Sequence, residues 1–342
     1  MISVIIPCYN AEKTIERTLR SLLEGQYQDL EVLISDDASS DGTRQICAAF
    51  GDPRIRILAS PENGGVSHAR NLALKEARGE YVSFLDADDS VAPDYLESLA
   101  ASAYRNQADW VLGGFSVVDG NDPARVILES PLLFDEDCVF RGEALRALFP
   151  AKIFYNGGRT TAACVWGGLL KRSLIEENAL RFDESLRYGE DMLFNLRFSA
   201  FCRSFAYVSK RLYRYHQYGG GSTDALFKRY TLASFIRLSE AIELSRQESG
   251  IPLLPEESNY ICSQTFGFLN QNAFLAPPEA RRAFLREFDA AYWASRPLAG
   301  LWQQMKRSDI AGAVQKLRFT LIKKRRYRAL QLFQRLIRLV KK

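Results

Sequence analysis

Strand signals and helix signals alternate through the first 113 residues, and no other property of this chain narrows its fold as far. Ile2-Ser3-Val4-Ile5-Ile6 is apolar and β-branched, and Pro7 closes it. Ala11 to Leu23 then carries Ile15, Leu19, Leu22 and Leu23 at the spacing of a helix with one buried stripe. A second buried strand over Glu31 to Ser35 runs into Asp36-Asp37-Ala38-Ser39-Ser40-Asp41-Gly42-Thr43. A third, Ile55 to Leu58, runs into Asn63-Gly64-Gly65, and a helix from about Ser67 to Ala77 ends at Gly79. Glu80 to Leu85 is a fourth strand and Trp110-Val111-Leu112-Gly113 a fifth. This alternation predicts an α/β fold, a doubly wound and mostly parallel sheet flanked by helices. In such sheets ligands bind beyond the carboxyl ends of the strands. Pro7-Cys8-Tyr9-Asn10, Asp36-Asp37, Asn63-Gly64 and Asp86 to Asp89 all fall there, so four polar clusters converge on one edge.

The fourth strand leads straight into Asp86-Ala87-Asp88-Asp89. If the pleat continues, Asp86 and Asp88 share a face. Two carboxylates that close raise each other's pKa unless a cation lies between them. A hard divalent ion with oxygen ligands, Mg²⁺ or Mn²⁺, satisfies them and commonly bridges to substrate phosphates. The same residues also suit an acidic turn in which Asp88 or Asp89 caps a helix starting near Pro93.

Taken in order, these segments resemble the family 2 glycosyltransferases, which have a GT-A, Rossmann-like fold. Ser3 to Asn10 is similar to the family's opening strand, Asp36 to Thr43 to its second signature, Asn63 to Asn71 to its third and Gly79 to Asp89 to its fourth. Val165-Trp166-Gly167 with Lys171-Arg172, Phe182-Asp183-Glu184 and Gly189-Glu190-Asp191 resemble its acceptor-side signatures, so the likeness covers roughly the first 225 residues. It implies an inverting, metal-dependent transfer of one sugar from a nucleotide-sugar, commonly a UDP-sugar, to an acceptor hydroxyl.

By that resemblance Asp37 bonds the nucleobase, although it would also cap the turn into the helix after Asp41. Pro7 and Tyr9 line the base pocket, or Tyr9 packs in the core. Arg70 lies near the donor phosphates or in a surface salt bridge. Asp86 stands near ribose and metal, and Asp88 is the direct ligand of Mn²⁺ or Mg²⁺. Asp191 becomes the general base for the acceptor hydroxyl, and Glu190 orients the acceptor or the base. Both acids would equally complement the dipole of a helix over Met192 to Ala200. Trp166 is an acceptor-site aromatic or a core residue. The family's arginine-containing loop falls at Arg214 to Thr223, where this chain has His216 near the expected arginine, so the phosphate contact implied falls to His216, or to Arg214 as its substitute. The acceptor implied is a lipid-linked glycan of cell-surface polysaccharide assembly. Two alternatives use the same residues: a haloacid-dehalogenase-type phosphatase, with Asp86 and Asp88 in its D-x-D, and a non-catalytic nucleotide-sugar-binding protein.

The six cysteines show no paired spacing, two histidines are too few for a His-rich zinc site, and the chain has no run of about 18 apolar residues. The apolar start stops at Pro7 without a basic leader, so no secretory signal is expected. Residues 316–342 hold 11 Lys or Arg and no acid, while the remainder carries 34 basic against 41 acidic residues. On a helical wheel, Ala329, Leu330, Leu332, Phe333, Leu336, Ile337, Leu339 and Val340 oppose Arg328, Arg335, Arg338, Lys341 and Lys342. A basic amphipathic helix of this kind attaches to an anionic membrane surface or packs on the body. The acidic body disfavours nucleic acid. The expected division is a catalytic domain over 1–224 (donor half 1–113, acceptor half 114–224), a helical subdomain over 225–315 and a basic tail over 316–342. Such a protein would be cytoplasmic and peripheral on the inner membrane face.

Overall fold

A computed structural model of the chain describes residues 1–148, 164–186, 189–218, 231–248, 253, 255–274 and 276–340. The chain divides into two units, Met1–Gly221 and Ser222–Lys342.

The first unit opens with β1 (Ile2–Cys8), α1 (Ile15–Leu23), β2 (Leu30–Asp36), α2 (Thr43–Ala49), β3 (Ile55–Ala59), α3 (Val66–Glu76) and β4 (Tyr81–Phe84). It continues with β5 (Ser90–Val91), α4 (Tyr95–Asn106), β6 (Trp110–Asp119), β7 (Val126–Glu129), β8 (Cys138–Arg141) and α5 (Gly142–Leu148). After residues 149–163 come β9 (Gly168–Lys171), α6 (Arg172–Glu177), α7 (Glu190–Phe201) and β10 (Ser204–Gln217). Among the described residues the sheet runs β3-β2-β1-β4-β9-β6-β10-β5. Pairing is parallel for β3-β2-β1-β4 and β6-β10, while β9 enters antiparallel between β4 and β6. β1 and β2 are buried along their whole length, as strands covered on both faces must be, which is why apolar residues dominate both, with Glu31, Ser35 and Asp36 the polar exceptions in β2. One face of α1 (Ile15, Leu19, Leu22 and Leu23) packs into the same core.

Two local expectations are corrected. β1 does not close at Pro7 but runs through it to Cys8, with Pro7 opposite Ser35 of β2. Ile5 accepts the Leu85 N–H on the β4 side. By strand alternation Pro7 faces that same side, where the β4 pairing has already ended at Ile5–Phe84, so the missing N–H breaks no ladder bond. β4 in turn stops at Phe84, two residues before Asp86. Asp86 to Asp89 therefore form a turn, closed by the Asp89 N–H donating to the Asp86 carbonyl at 3.1 Å, and the pleat does not place Asp86 and Asp88. Neither Asp88 nor Asp89 caps α4, whose N-cap residue is Asp94.

The second unit is helical: α8 (Leu232–Glu248), α9 (Pro255–Leu269) extended by a π turn over Asn270–Phe274, α10 (Pro278–Ala294), α11 (Arg296–Gln304), α12 (Ala313–Lys323) and α13 (Tyr327–Val340). The first residues of the expected helical subdomain, 225–230, lie outside the described residues. Its core joins Phe288, Tyr292, Leu298 and Trp302 with Phe319, Ile322, Tyr327 and Leu330. The last four belong to the expected tail. Residues 316–342 are thus no detached appendage, because α12 and the first turn of α13 supply apolar side chains that the rest of this unit cannot bury without them.

Candidate active site

The loops after β1 and β2 hold each other at the carboxyl edge of the sheet. Asn10 donates its N–H to Ser39 Oγ (2.9 Å), Ala11 to Thr43 Oγ1 (2.8 Å), and Ser40 N–H donates to Asn10 Oδ1 (2.9 Å). Asn10 (φ 51°) and Ala38 (φ 61°) both take the left-handed conformation. That is unfavourable for alanine, so the surrounding hydrogen bonds impose it. Asp37, buried, accepts Gly64 N–H at 2.9 Å on one carboxylate oxygen and Gly65 N–H at 2.7 Å on the other. It therefore braces the entry to α3 rather than the turn after Asp41; there Asp41 itself accepts the Thr43 N–H at 3.0 Å. Gly65 needs to be glycine, with φ at 91°. Tyr9 is 53% exposed at the end of β1, whereas Pro7 is buried within the strand. Only the tyrosine of that pair is presented at the surface.

The Asp86–Asp89 turn is fastened from two directions. Thr18 of α1 donates its hydroxyl to the carbonyls of Ala87 (2.9 Å) and Asp89 (2.7 Å), and Arg17 Nη2 reaches the Asp88 carbonyl and Tyr218 Oη. From β10, Tyr213 donates its hydroxyl to Asp89 Oδ2 at 2.6 Å and accepts the Asp86 N–H at 3.3 Å. Asp89 Oδ1 accepts the His216 N–H at 2.8 Å. Asp89 is fully buried, and burial, with Asp86 and Asp88 adding to it, raises its pKa well above the carboxylate range. It is a strut between the turn and β10. His216 corrects an expectation: it is buried, its Nε2 is bonded to Ser90 Oγ at 2.8 Å, and burial lowers its pKa to about 4, with Arg17 and Arg214 contributing. A neutral ring offers a diphosphate no charge. Arg214 is exposed and pairs with Ser90 across the β10–β5 ladder, and among the described residues it forms no ion pair with these carboxylates. Gly219 to Thr223 lie outside the described residues.

Arg70 organises the rest. It is 3% exposed on α3. Its Nη2 donates to Asp86 Oδ1 at 3.0 Å, and its Nη1 donates to Asp191 Oδ1 at 2.6 Å and lies 3.6 Å from Glu190 Oε1. One guanidinium thus spans the end of β4 and the first turn of α7. Its neighbour Asn71 pins the segment before α7, giving Nδ2–H to Phe182 O (2.9 Å) and Glu184 Oε1 (2.9 Å) and accepting Phe182 N–H (2.8 Å). Asp191 Oδ2 accepts the Val165 N–H at 3.3 Å. Three carboxylates surround one cation in a buried place, so burial raises Asp191 to about 7 despite Arg70, with Glu190 and Asp86 adding to the rise. The resemblance set Arg70 near phosphates; its span between the two carboxylate groups could have been anticipated only by pairing Asn63–Asn71 with Gly189–Asp191. Trp166 is buried and stacks on Tyr213 with ring centres 4.4 Å apart, which favours its packing alternative. Arg17, Thr18 and Tyr213 were missed, since each sits in an ordinary helix or strand pattern.

Among the described residues no three His, Cys, Asp or Glu side chains are grouped to cage a metal. Solvent reaches the Asp88 side chain, yet the protein packed around it and the adjacent Asp86 push its carboxyl up to about 6. A hard cation relieves that kind of crowding, and Mg²⁺ is usually bound through one or two carboxylates together with substrate phosphates. Asp88 and the second oxygen of Asp86 suit that arrangement.

The family model described as glycosyl transferase family 2 matches residues 3–177. The chain is 31% identical over 249 residues to glycosyltransferase GlyA of Streptococcus pneumoniae, covering 71% of this chain and 34% of that protein. It is 37% identical over 121 residues to the Escherichia coli protein named UDP-Glc:alpha-D-GlcNAc-diphosphoundecaprenol beta-1,3-glucosyltransferase WfgD, covering 35% of this chain and 48% of that one. The chain therefore spans half or less of the length of these curated relatives. In structure it superposes on Staphylococcus aureus TarS 1-349, solved in complex with UDP-GlcNAc, with a TM-score of 0.75 at 21% identity, over 99% of this chain and 91% of that one. That likeness shows a shared fold, a mixed α/β sheet of GT-A type followed by helices.

Proposed function

The chain belongs to glycosyl transferase family 2 and is a glycosyltransferase, and from that premise we propose that it transfers one sugar from a UDP-sugar, with inversion, to a hydroxyl of a lipid-linked glycan in cell-surface polysaccharide synthesis. The observation that carries this reading is the Arg70 bridge, which gathers Asp86 from the donor signature and Glu190 and Asp191 from the acceptor signature around one buried cation. The E. coli relative's name specifies a UDP-sugar donor and a diphospholipid acceptor, which supports the donor and acceptor classes.

In this scheme Asp191 is the general base. A base works best when its pKa lies near the working pH, and burial brings Asp191 there. As the acceptor oxygen attacks the anomeric carbon, its proton passes to Asp191. The bond from that carbon to the diphosphate oxygen breaks, and its electron pair departs with UDP. Arg70 fixes Oδ1 of the base and Val165 N–H fixes Oδ2, each oxygen keeping a further lone pair for the incoming proton. Glu190 orients the acceptor from the same turn. Tyr9 stacks on the nucleobase and Asp37 bonds it with the lone pairs its glycine contacts leave open. Mg²⁺ or Mn²⁺, held by Asp88 and Asp86, supplies counter-charge to the leaving diphosphate when bound. A phosphatase is not favoured, because the Asp86 carboxylate is already engaged by Arg70 and the motif follows the fourth strand.

The protein works at an anionic membrane face, on this reading, through α13, where Leu332 and Leu336 are each 60% exposed beside Arg328 and Arg335. No helix among the described residues is long and apolar enough to cross a membrane. The test of the chemistry is Asp191→Asn with UDP-sugar and acceptor. Turnover falls by about 10²–10⁴ while UDP affinity is retained. A variant that keeps its turnover number and loses UDP affinity overturns the assignment.

A further inference from the structure

The helical unit has an open cleft of about 730 Å³ between α10 and the connection from α12 to α13. Arg282 and Arg286 of α10 line one wall, Arg325, Arg326 and Arg328 the other. Positions 282, 286 and 289 recur at the interval that puts side chains on one helix face. The only acid among the lining residues is Asp289, and it is already engaged. Tyr327 donates its hydroxyl to Asp289 Oδ1 at 2.9 Å and Arg325 Nη1 lies 3.5 Å from Oδ2. Arg282, Arg286, Arg326 and Arg328 have no ion-pair partner among the described residues. Four like charges around one concavity repel one another, and nothing described within the protein offsets them.

The backbone points the same way. α12 ends with Arg325 N–H bonded to Ile322 O and Arg326 N–H to Leu321 O, both at 2.8 Å, and Arg325 takes φ 55°. Glycine ordinarily fills that left-handed position at a helix end. Here the arginine side chain lies over the Trp293 ring, 5.1 Å from its centre, and beside Asp289, which holds the turn at the rim of the cleft. α13 then starts at Tyr327, so the free N–H groups of its first turn and the positive end of its dipole lie at the same rim. Leu285, Ala290 and Ala329 add an apolar part to the lining.

We infer that this cleft is a binding site for a phosphate or diphosphate ester whose other end is uncharged. Arginine is suited to this ligand because its planar fork pairs with two phosphate oxygens at once. The volume far exceeds one phosphate and falls in the range of small-ligand sites. The inference rests on residues of the second unit alone and stands whether or not the donor and acceptor assignments above hold.

The test titrates the full chain, in low salt and with a chelator that suppresses metal-assisted binding at the donor site, using inorganic pyrophosphate as probe. The wild type binds pyrophosphate under these conditions. Arg282→Gln/Arg326→Gln weakens that binding roughly tenfold or more, the loss expected for contacts to a charged group. Both side chains are exposed, so the variant keeps the wild-type melting temperature; Arg286→Gln replaces it if it does not. No pyrophosphate binding by the wild type, or equal binding by the variants, overturns the site. Phosphatidylglycerol vesicles separate the two sources of the ester. If the variant also loses co-sedimentation with them, the ester is a lipid headgroup; if only pyrophosphate binding falls, the ester is soluble. Either result supports the cleft.

Discussion

Replacing Arg70 with methionine removes the one cation that Asp86, Glu190 and Asp191 share. Methionine fills much of the volume, so the effect is chiefly electrostatic. Removing one partner of a buried ion pair costs about 3–5 kcal/mol, because the charge left behind is neither paired nor hydrated. For a unit of this size, Met1–Gly221, each kcal/mol lowers the melting temperature by about 2–4 °C, so the expected loss is roughly 6–20 °C. The deficit must also depend on pH. Asp191 is raised to about 7 by burial even with Arg70 beside it, and without that cation its carboxyl moves further above the value of the unfolded chain. Groups shifted upward leave stability intact below their unfolded pKa and remove it as pH rises through the folded value. The loss is therefore small near pH 4 to 5 and grows toward about pH 8. Scanning calorimetry of the full chain at several pH values resolves the first unit's transition from the second. Arg70→Lys recovers part of the stability and little activity, since a point charge cannot span two carboxylates as the guanidinium fork does. A melting temperature within about 2 °C of wild type at pH 8, or a deficit equal at pH 5 and pH 8, refutes the clamp.

Asp88→Asn abolishes the extra thermal stabilisation that UDP gives with Mn²⁺ or Mg²⁺ over chelator and leaves the fold intact; a metal-independent shift in the wild type removes the metal role. The first unit of the wild type itself gains stability on acidification from about pH 8 to pH 5, because Asp191 is raised to about 7 and Asp88 to about 6; a flat profile contradicts both shifts. Deleting residues 316–342 unfolds the helical unit, since Phe319, Ile322, Tyr327 and Leu330 leave its core at a cost on the order of 6–12 kcal/mol, comparable to a domain's whole stability. The membrane reading is therefore tested by Leu332→Glu/Leu336→Glu, which keeps the fold and loses co-sedimentation with anionic liposomes; unchanged sedimentation counts against α13 as the contact.

Most of the catalytic unit was legible in sequence because its elements are local. The buried strands Ile2–Cys8 and Leu30–Asp36, the stripe of α1 and the glycine turn into α3 follow from residues close together in the chain. So do the polar clusters at the strand ends, since in a parallel sheet every strand presents the same end to the same edge. The helical spacing in the second unit was equally readable, and Pro255 and Pro278 mark the starts of α9 and α10.

The partners of each charge were not. Arg70 meets Asp191 across 121 positions of sequence and Tyr213 meets Asp89 across 124. The first guanidinium is a clamp and the last aspartate a strut only because the sheet brings their elements together. His216 is aligned with a cationic position, yet pairing of β10 with β6 and the contact with Ser90 bury it and remove its charge. Residues 316–342 have the amphipathic composition of a membrane helix, but which apolar side chains are free depends on what packs beneath them. Leu330 is buried and Leu332 exposed. Periodicity states that a face exists; tertiary packing decides what covers it.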